Sequence, residues 1–131
     1  MKLTIKTNRR TELIDITAKV QQTIKEQHFE QGVCMVYVPH TTAAVTINEN
    51  ADPSVAHDIL FALDTMVPDR ADFRHLEGNS TAHVKSSLMG PSQMVGVENG
   101  RLVLGTWQGL FFCEFDGPRT RHFHVKLIAQ P

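Results

Sequence analysis

A chain of 131 residues has the length of a single domain, residues 1–131, with enough material for a real hydrophobic core. Its 41% apolar and 21% charged residues are the balance of a soluble globular protein. With 13 basic against 14 acidic residues the formal net charge is −1, which excludes the basic excess of a non-specific nucleic-acid binder but leaves room for a local anion site.

Lys2 to Thr7 alternates apolar and polar residues and predicts a half-exposed strand, not an apolar leader. Asn8-Arg9-Arg10 reads as a turn and Glu12 to Ile16 as a second strand. Thr17 suits the cap of a helix running to about Phe29, with Val20, Ile24 and Phe29 as its apolar stripe and Gly32 as its stop. Val33 to Val38 is continuously apolar and predicts a central strand covered on both faces. Pro39-His40-Thr41-Thr42 interrupts it, and Ala43 to Ile47 resumes as a strand. Asp52 before Pro53 is a strong helix start, followed by Val55, Ile59, Leu63 and Met66 at helical spacing up to Pro68. Asp69 to Ser80 reads as a loop, and Thr81 to Met89 as a short helix stopped by Gly90.

Four strands then read as a meander: Gln93–Val97, Arg101–Thr106, Leu110–Phe115 and Arg121–Ile128. Asn99-Gly100 is the strongest hairpin signal in the chain. Gly105-Thr106-Trp107-Gln108-Gly109, holding the only Trp, reads as a sheet corner with a Trp anchor. The succession of elements predicts an α+β domain with a mainly antiparallel sheet, or a pair of sheets, and two or three helices on one side. No stretch is long and apolar enough to span a membrane. Cys34 and Cys113 lie in strand-like apolar runs without metal-type spacing, so buried thiols and a reduced, cytoplasmic setting are expected.

Polar residues of possible chemistry cluster between His40 and Asp58 and between His75 and Lys85. His40 follows a buried strand and Glu49 ends the next one. His75 and Glu77 lie in the loop, with His83 and Lys85 just beyond it. Imidazoles with carboxylates suit zinc or another divalent metal, so His40, Glu49, His75 and His83 form one candidate set. Imidazole, ammonium and helix-start N–H groups suit phosphate equally well, with Lys85 and Arg119 as the cationic candidates. The blander readings stand beside these: a strand-end His on the surface, Asp52 as a helix cap, Asp116-Gly117-Pro118-Arg119 as a turn. His122 and His124 share one face of the last strand and read as a solvated pair, while His28 and His57 carry no assigned role.

Together the motifs resemble the YjbQ-type family, also described as secondary thiamine-phosphate synthases. The resemblance rests on five ordered stretches: His40-Thr41-Thr42-Ala43-Ala44, Asn48-Glu49-Asn50-Ala51-Asp52-Pro53, Ala82 to Gly90, Gly100 to Gly109, and Asp116-Gly117-Pro118-Arg119. Thr81 departs from it, standing where members often carry an acidic residue ahead of Ala82-His83. The resemblance implies an α+β homotrimer with weak thiamine-phosphate synthase activity, joining a pyrimidine methyl diphosphate to a thiazole phosphate with release of pyrophosphate. On that reading the partner is a small phosphorylated substrate. His40, His83 and Lys85 are the catalytic candidates, and zinc or magnesium is a possible cofactor. The alternative is a non-catalytic trimer that binds metal or phosphate. The Trp107 corner would then set the geometry that brings His40, His83 and Arg119 together.

Overall fold

In the computed structural model, which describes Met1–Pro131, the chain forms β1 (Lys2–Lys6), β2 (Glu12–Asp15), α1 (Thr17–Glu26), β3 (Gly32–Tyr37), β4 (Ala43–Glu49), α2 (Pro53–Met66), α3 (Ser80–Met89), β5 (Ser92–Glu98), β6 (Arg101–Leu102), β7 (Gln108–Glu114) and β8 (Thr120–Ala129). The strands make two sheets, ordered β1-β8-β3-β5-β6 and β2-β7-β4, and every pairing is antiparallel. This is the expected α+β architecture in its two-sheet form.

The first core lies between the sheets. Cys34, Val36, Val95, Val97, Phe123 and Val125 come from the large sheet, and Ala43, Val45, Leu110 and Phe112 from the small one. Helix α1 adds Val20 and Ile24 to this core. Helices α2 and α3 instead cover the other side of the small sheet, where Leu63 and Ala82 meet Ala44, Cys113 and Phe115. The helices are therefore not all on one side. The small sheet is buried on both faces, which is why β7 reads as the unbroken apolar run Leu110-Phe111-Phe112-Cys113.

The predicted meander is not formed. Only β5 and β6 pair directly, through a turn in which Asn99 (φ 51°) and Gly100 (φ 74°) are both left-handed, as a tight hairpin of this kind requires. Strand β7 leaves for the small sheet, and β8 returns to lie between β1 and β3. Local alternation reports a strand but not its partner. Strand β3 is central, yet only Cys34 and Val36 are buried, because the outer face of the large sheet carries no second layer. Its continuous hydrophobicity comes from Val33, Met35 and Tyr37, which line that open face beside Met94 (61% exposed) and Ile128.

Helix ends depart from expectation at α1 and match it at α2. The Thr17 hydroxyl does not cap α1; it donates to Asp15 Oδ1 at 2.6 Å and accepts the Leu110 N–H at 2.9 Å, tying the helix start to β7. The helix stops at Glu26, and Gly32 opens β3 instead of ending α1. Asp52 does cap α2, its Oδ1 accepting the Ser54 N–H at 2.9 Å, with Pro53 in the first turn.

Both thiols are free and buried, Cys34 in the first core and Cys113 in the second. Burial pushes them up to about 11 and about 12. A thiol-specific reagent at pH 8 should label neither until guanidinium unfolds the protein, and then both; prompt labelling of either in native protein would contradict this packing. No helix is long and apolar enough to cross a membrane.

Candidate functional site

Four segments meet at one end of the two sheets. The link from β3 to β4 supplies His40, Thr41 and Thr42. The loop before α3 supplies His75, Glu77 and Asn79, α3 itself supplies His83, and the β7–β8 turn supplies Asp116 and Arg119. They enclose a cleft of about 410 Å³ lined, apart from Pro39, by polar and charged side chains.

The floor of the cleft is a buried ion pair. Arg121 grips Glu114 with both ends of its guanidinium, Nε to Oε1 at 2.9 Å and Nη2 to Oε2 at 2.6 Å. The same Nη2 donates to Thr42 Oγ1 at 2.7 Å, while Glu114 also accepts from the Thr7 hydroxyl (2.8 Å) and the Asp116 N–H (3.0 Å). Burial pushes the Glu114 carboxyl up, but Arg121, the Asp116 amide and Thr7 more than offset it and hold the group below its ordinary range. Gly117 is required here. A β-carbon would fall 2.8 Å from Glu114 Cγ and 2.9 Å from Thr7 Oγ1 and would overlap the Arg9 carbonyl.

On this floor the turn presents Arg119. Its Nε donates to the Asp116 carbonyl at 3.0 Å and its Nη2 to Asp116 Oδ2 at 3.1 Å, and Asn79 Nδ2 holds the same carboxylate oxygen at 2.9 Å. The guanidinium is half exposed toward the cleft. Asn79 also stands immediately before α3, at its N-cap position, and makes no side-chain cap, so the positive end of α3 opens beside it.

The His40 Nε2 accepts the backbone N–H of His122 at 3.0 Å, and the two rings stack with centroids 6.3 Å apart. That bond leaves Nδ1 as the protonated nitrogen of the neutral ring. Burial and the charge of Arg121 both lower the His40 pKa, so it is a neutral hydrogen-bond donor at pH 7. His75 and His83 meet edge to face, centroids 5.2 Å apart.

His40, His75, His83 and Arg119 thus share one cleft, whereas two other expected site residues lie elsewhere. Lys85 is buried against α2, where it pairs with Asp64. It sits two residues beyond His83, about 200° around the helix, and so cannot face the same way. Glu49 ends β4 opposite Gln108, while the cleft end of β4 pairs Ala43 with Glu114. Six residues of strand put it about 20 Å away. The Trp107 corner is at that far end too. Trp107 is 62% exposed and anchors nothing, and Gly109 is needed there because a β-carbon would collide with the Asn50 side chain. The corner does not set the geometry of the cleft. No three His, Cys, Asp or Glu side chains gather closely enough to hold a metal ion, and His40 Nε2 is already occupied, so the expected metal set is not assembled.

Sequence reasoning missed Glu114, Arg121 and Asn79. The first two had a signal. Glu114 stands between Cys113 and Phe115 in the apolar, buried run that ends β7, and Arg121 falls on the inward face of β8 with Phe123 and Val125, so each demanded a partner.

The profile of the UPF0047 protein YjbQ-like family matches residues 1–130. The chain belongs to the YjbQ/UPF0047 family. A UPF0047 protein of Methanocaldococcus jannaschii is 57% identical over 128 residues, covering 98% of this chain and 93% of its own. The UPF0047 protein YugU of Bacillus subtilis is 54% identical, with 97% of each chain covered. Among solved structures, an uncharacterised YjbQ/UPF0047 protein of Clostridium acetobutylicum superposes with a TM-score of 0.95 at 52% identity, covering 98% of this chain and 99% of that one. These YjbQ-like relatives span the whole domain, so both sheets and all the cleft segments lie within the shared fold.

Proposed function

We propose that the cleft binds the phosphate of a small phosphorylated substrate and supports weak thiamine-phosphate synthase chemistry. The observation that carries this reading is the convergence of His40, His75, His83 and Arg119, from four separate segments, in a cleft whose lining is polar or charged apart from Pro39. The open N-terminus of α3 adds further N–H donors for an anion. In the reaction the thiazole nitrogen forms a bond to the pyrimidine methylene carbon. The carbon–oxygen bond to diphosphate breaks, and pyrophosphate leaves with the electron pair. Arg119 and the helix start would stabilise charge on that leaving group, and His40 and His83 would donate to its oxygens. Lys85 acts only by bracing α3 against α2 through Asp64. No step is assigned to zinc or magnesium, because the donors present do not form a ligand set.

A second reading, a non-catalytic protein that binds phosphate, is favoured by one feature. Both arginines are already matched by carboxylates, Arg119 by Asp116 and Arg121 by Glu114, which limits the charge free for a diphosphate. Incubation with the two phosphorylated precursors, followed by chromatographic detection of thiamine phosphate and pyrophosphate, separates the readings. Product in equal amounts supports the synthase. Phosphate binding without product supports the second reading.

Homotrimeric assembly belongs to the same proposal. It is supported by the open apolar face of the large sheet and by exposed Phe61 (67%), Met66 and Leu88 on α2 and α3. The free buried thiols suit a cytoplasmic location.

A further inference from the structure

Two carboxylates line the cleft beside its arginine and histidines, Glu77 on the exposed loop and Asp116 in the β7–β8 turn. An ionised carboxylate only accepts hydrogen bonds, so it repels an anion that has no proton to give it. Asp116 is firmly placed. Its N–H donates to Glu114 Oε2 at 3.0 Å, and its Oδ2 accepts from Asn79 Nδ2 at 2.9 Å and from Arg119 Nη2 at 3.1 Å. Its two oxygens are used unequally. The strong way for a carboxylate to match an arginine is with both oxygens, as Glu114 takes Arg121. Asp116 receives both side-chain donors on Oδ2, and Oδ1 makes no hydrogen bond. Nor is Oδ1 sealed inside the protein: the buried side-chain atoms without a partner are Asn79 Oδ1 and Ser86 Oγ. Arg119 Nη1 is equally free of bonds, on a side chain 50% exposed. The turn therefore carries one unused cationic donor and one unused anionic acceptor, tied to each other through the Nη2–Oδ2 contact.

We infer, building on the phosphate-binding reading of the cleft, that Asp116 is its specificity determinant: Oδ1 accepts a hydrogen bond from a protonated phosphoryl oxygen while Arg119 takes an unprotonated one, so the cleft admits phosphate and rejects sulfate. At pH 7 inorganic phosphate keeps at least one proton, whereas sulfate, of the same tetrahedral shape, keeps none. Sulfate would leave Oδ1 against a second anion with no proton between them, a repulsive element of the kind that sets specificity against a wrong ligand. A site made to pair with a ligand hydroxyl discriminates strongly against the analogue that lacks it, because the protein group is then left unpaired. The bound species of a phosphate ester is accordingly the one that keeps a proton on a phosphoryl oxygen.

Calorimetric titration at pH 7 with inorganic phosphate, sulfate and fluorophosphate tests this. Fluorophosphate keeps the phosphorus centre but is a dianion without a proton at this pH. Wild type should bind phosphate about 10- to 100-fold more tightly than either of the others, the range of one hydrogen bond to a charged group. Asp116→Asn retains an oxygen for Asn79 and Arg119 and sets an amide donor in place of Oδ1. It should bring sulfate to within about threefold of phosphate, since the unpaired acceptor is gone. Glu77→Gln removes the same charge from the same cleft and should tighten phosphate and sulfate alike. Sulfate or fluorophosphate bound by wild type as tightly as phosphate, or a phosphate preference that survives in Asp116→Asn, overturns the inference while leaving the anion site standing. Loss of the preference to the same extent in Glu77→Gln also overturns it, because net charge alone would then account for the effect. No binding of any of the three by wild type removes the phosphate reading as well.

Discussion

Replacing Glu114 with alanine should destabilise the protein by about 3–5 kcal/mol, the cost of leaving a buried charge without its partner. Arg121 is 3% exposed and would keep only Thr42 as an acceptor. The Thr7 hydroxyl and the Asp116 amide would each lose a bond as well. Urea unfolding should show a large fall in midpoint at nearly constant slope, and an unchanged midpoint would mean that the pair carries no stability. Glu114→Gln, which keeps shape and hydrogen-bonding capacity but not charge, should fall between the two. A Glu114→Leu, Arg121→Met double variant should recover most of the loss, because removing both charges leaves neither stranded. The pH dependence has a definite sign. The folded carboxyl lies below its ordinary value of 4.5, so the native state binds its proton less readily than the unfolded chain. Its contribution is complete above 4.5 and is lost as pH falls through the lower folded value. Acidification below pH 4.5 should therefore destabilise wild type more steeply than Glu114→Gln.

That ion pair shows what a linear reading can and cannot reach. Signals contained within a few residues were legible. Asp52-Pro53 starts a helix and Asn99-Gly100 turns a hairpin, because the chemistry of each is complete in the residues themselves. His40, Arg119 and the His75–His83 region stood out by residue type at strand ends and in a loop, and these do share a cleft. What was not legible depends on direction. Lys85 looked like a neighbour of His83 in sequence but lies around the helix from it, and Glu49 looked like a neighbour of His40 but stands at the far end of a strand. Burial on both faces was assigned to β3 from its hydrophobicity; it belongs to β7, whose sheet is covered by helices on one side and by the large sheet on the other. Trp107 drew attention as the only Trp, yet its side chain is exposed. Beyond the β5–β6 hairpin, pairing partners were out of reach, since β8 joins β1 and β3, both far from it in sequence.

His83→Ala should reduce turnover of the two phosphorylated precursors by about 10²-fold or more, the usual worth of a positioned proton donor, while leaving the fold intact. His83 lines the cleft, touches the His75 ring edge to face, and lies in the first turns of α3, where the helix dipole favours an anion. The alanine variant loses both a donor to phosphate and a group that can carry a proton. His83→Gln separates these losses, because an amide can donate a hydrogen bond but does not titrate. If it restores phosphate affinity but not turnover, His83 moves a proton; if it restores both, His83 only binds. Lys85→Ala is the contrasting variant. Its ammonium is buried against Asp64 on the other side of α3, so it should lower the melting temperature while folded protein keeps kcat within about threefold of wild type, as expected for a residue that never meets the reacting atoms. A reversed pattern, with His83→Ala fully active and Lys85→Ala stable but inactive, would move the chemistry out of the cleft and into the α2–α3 interface.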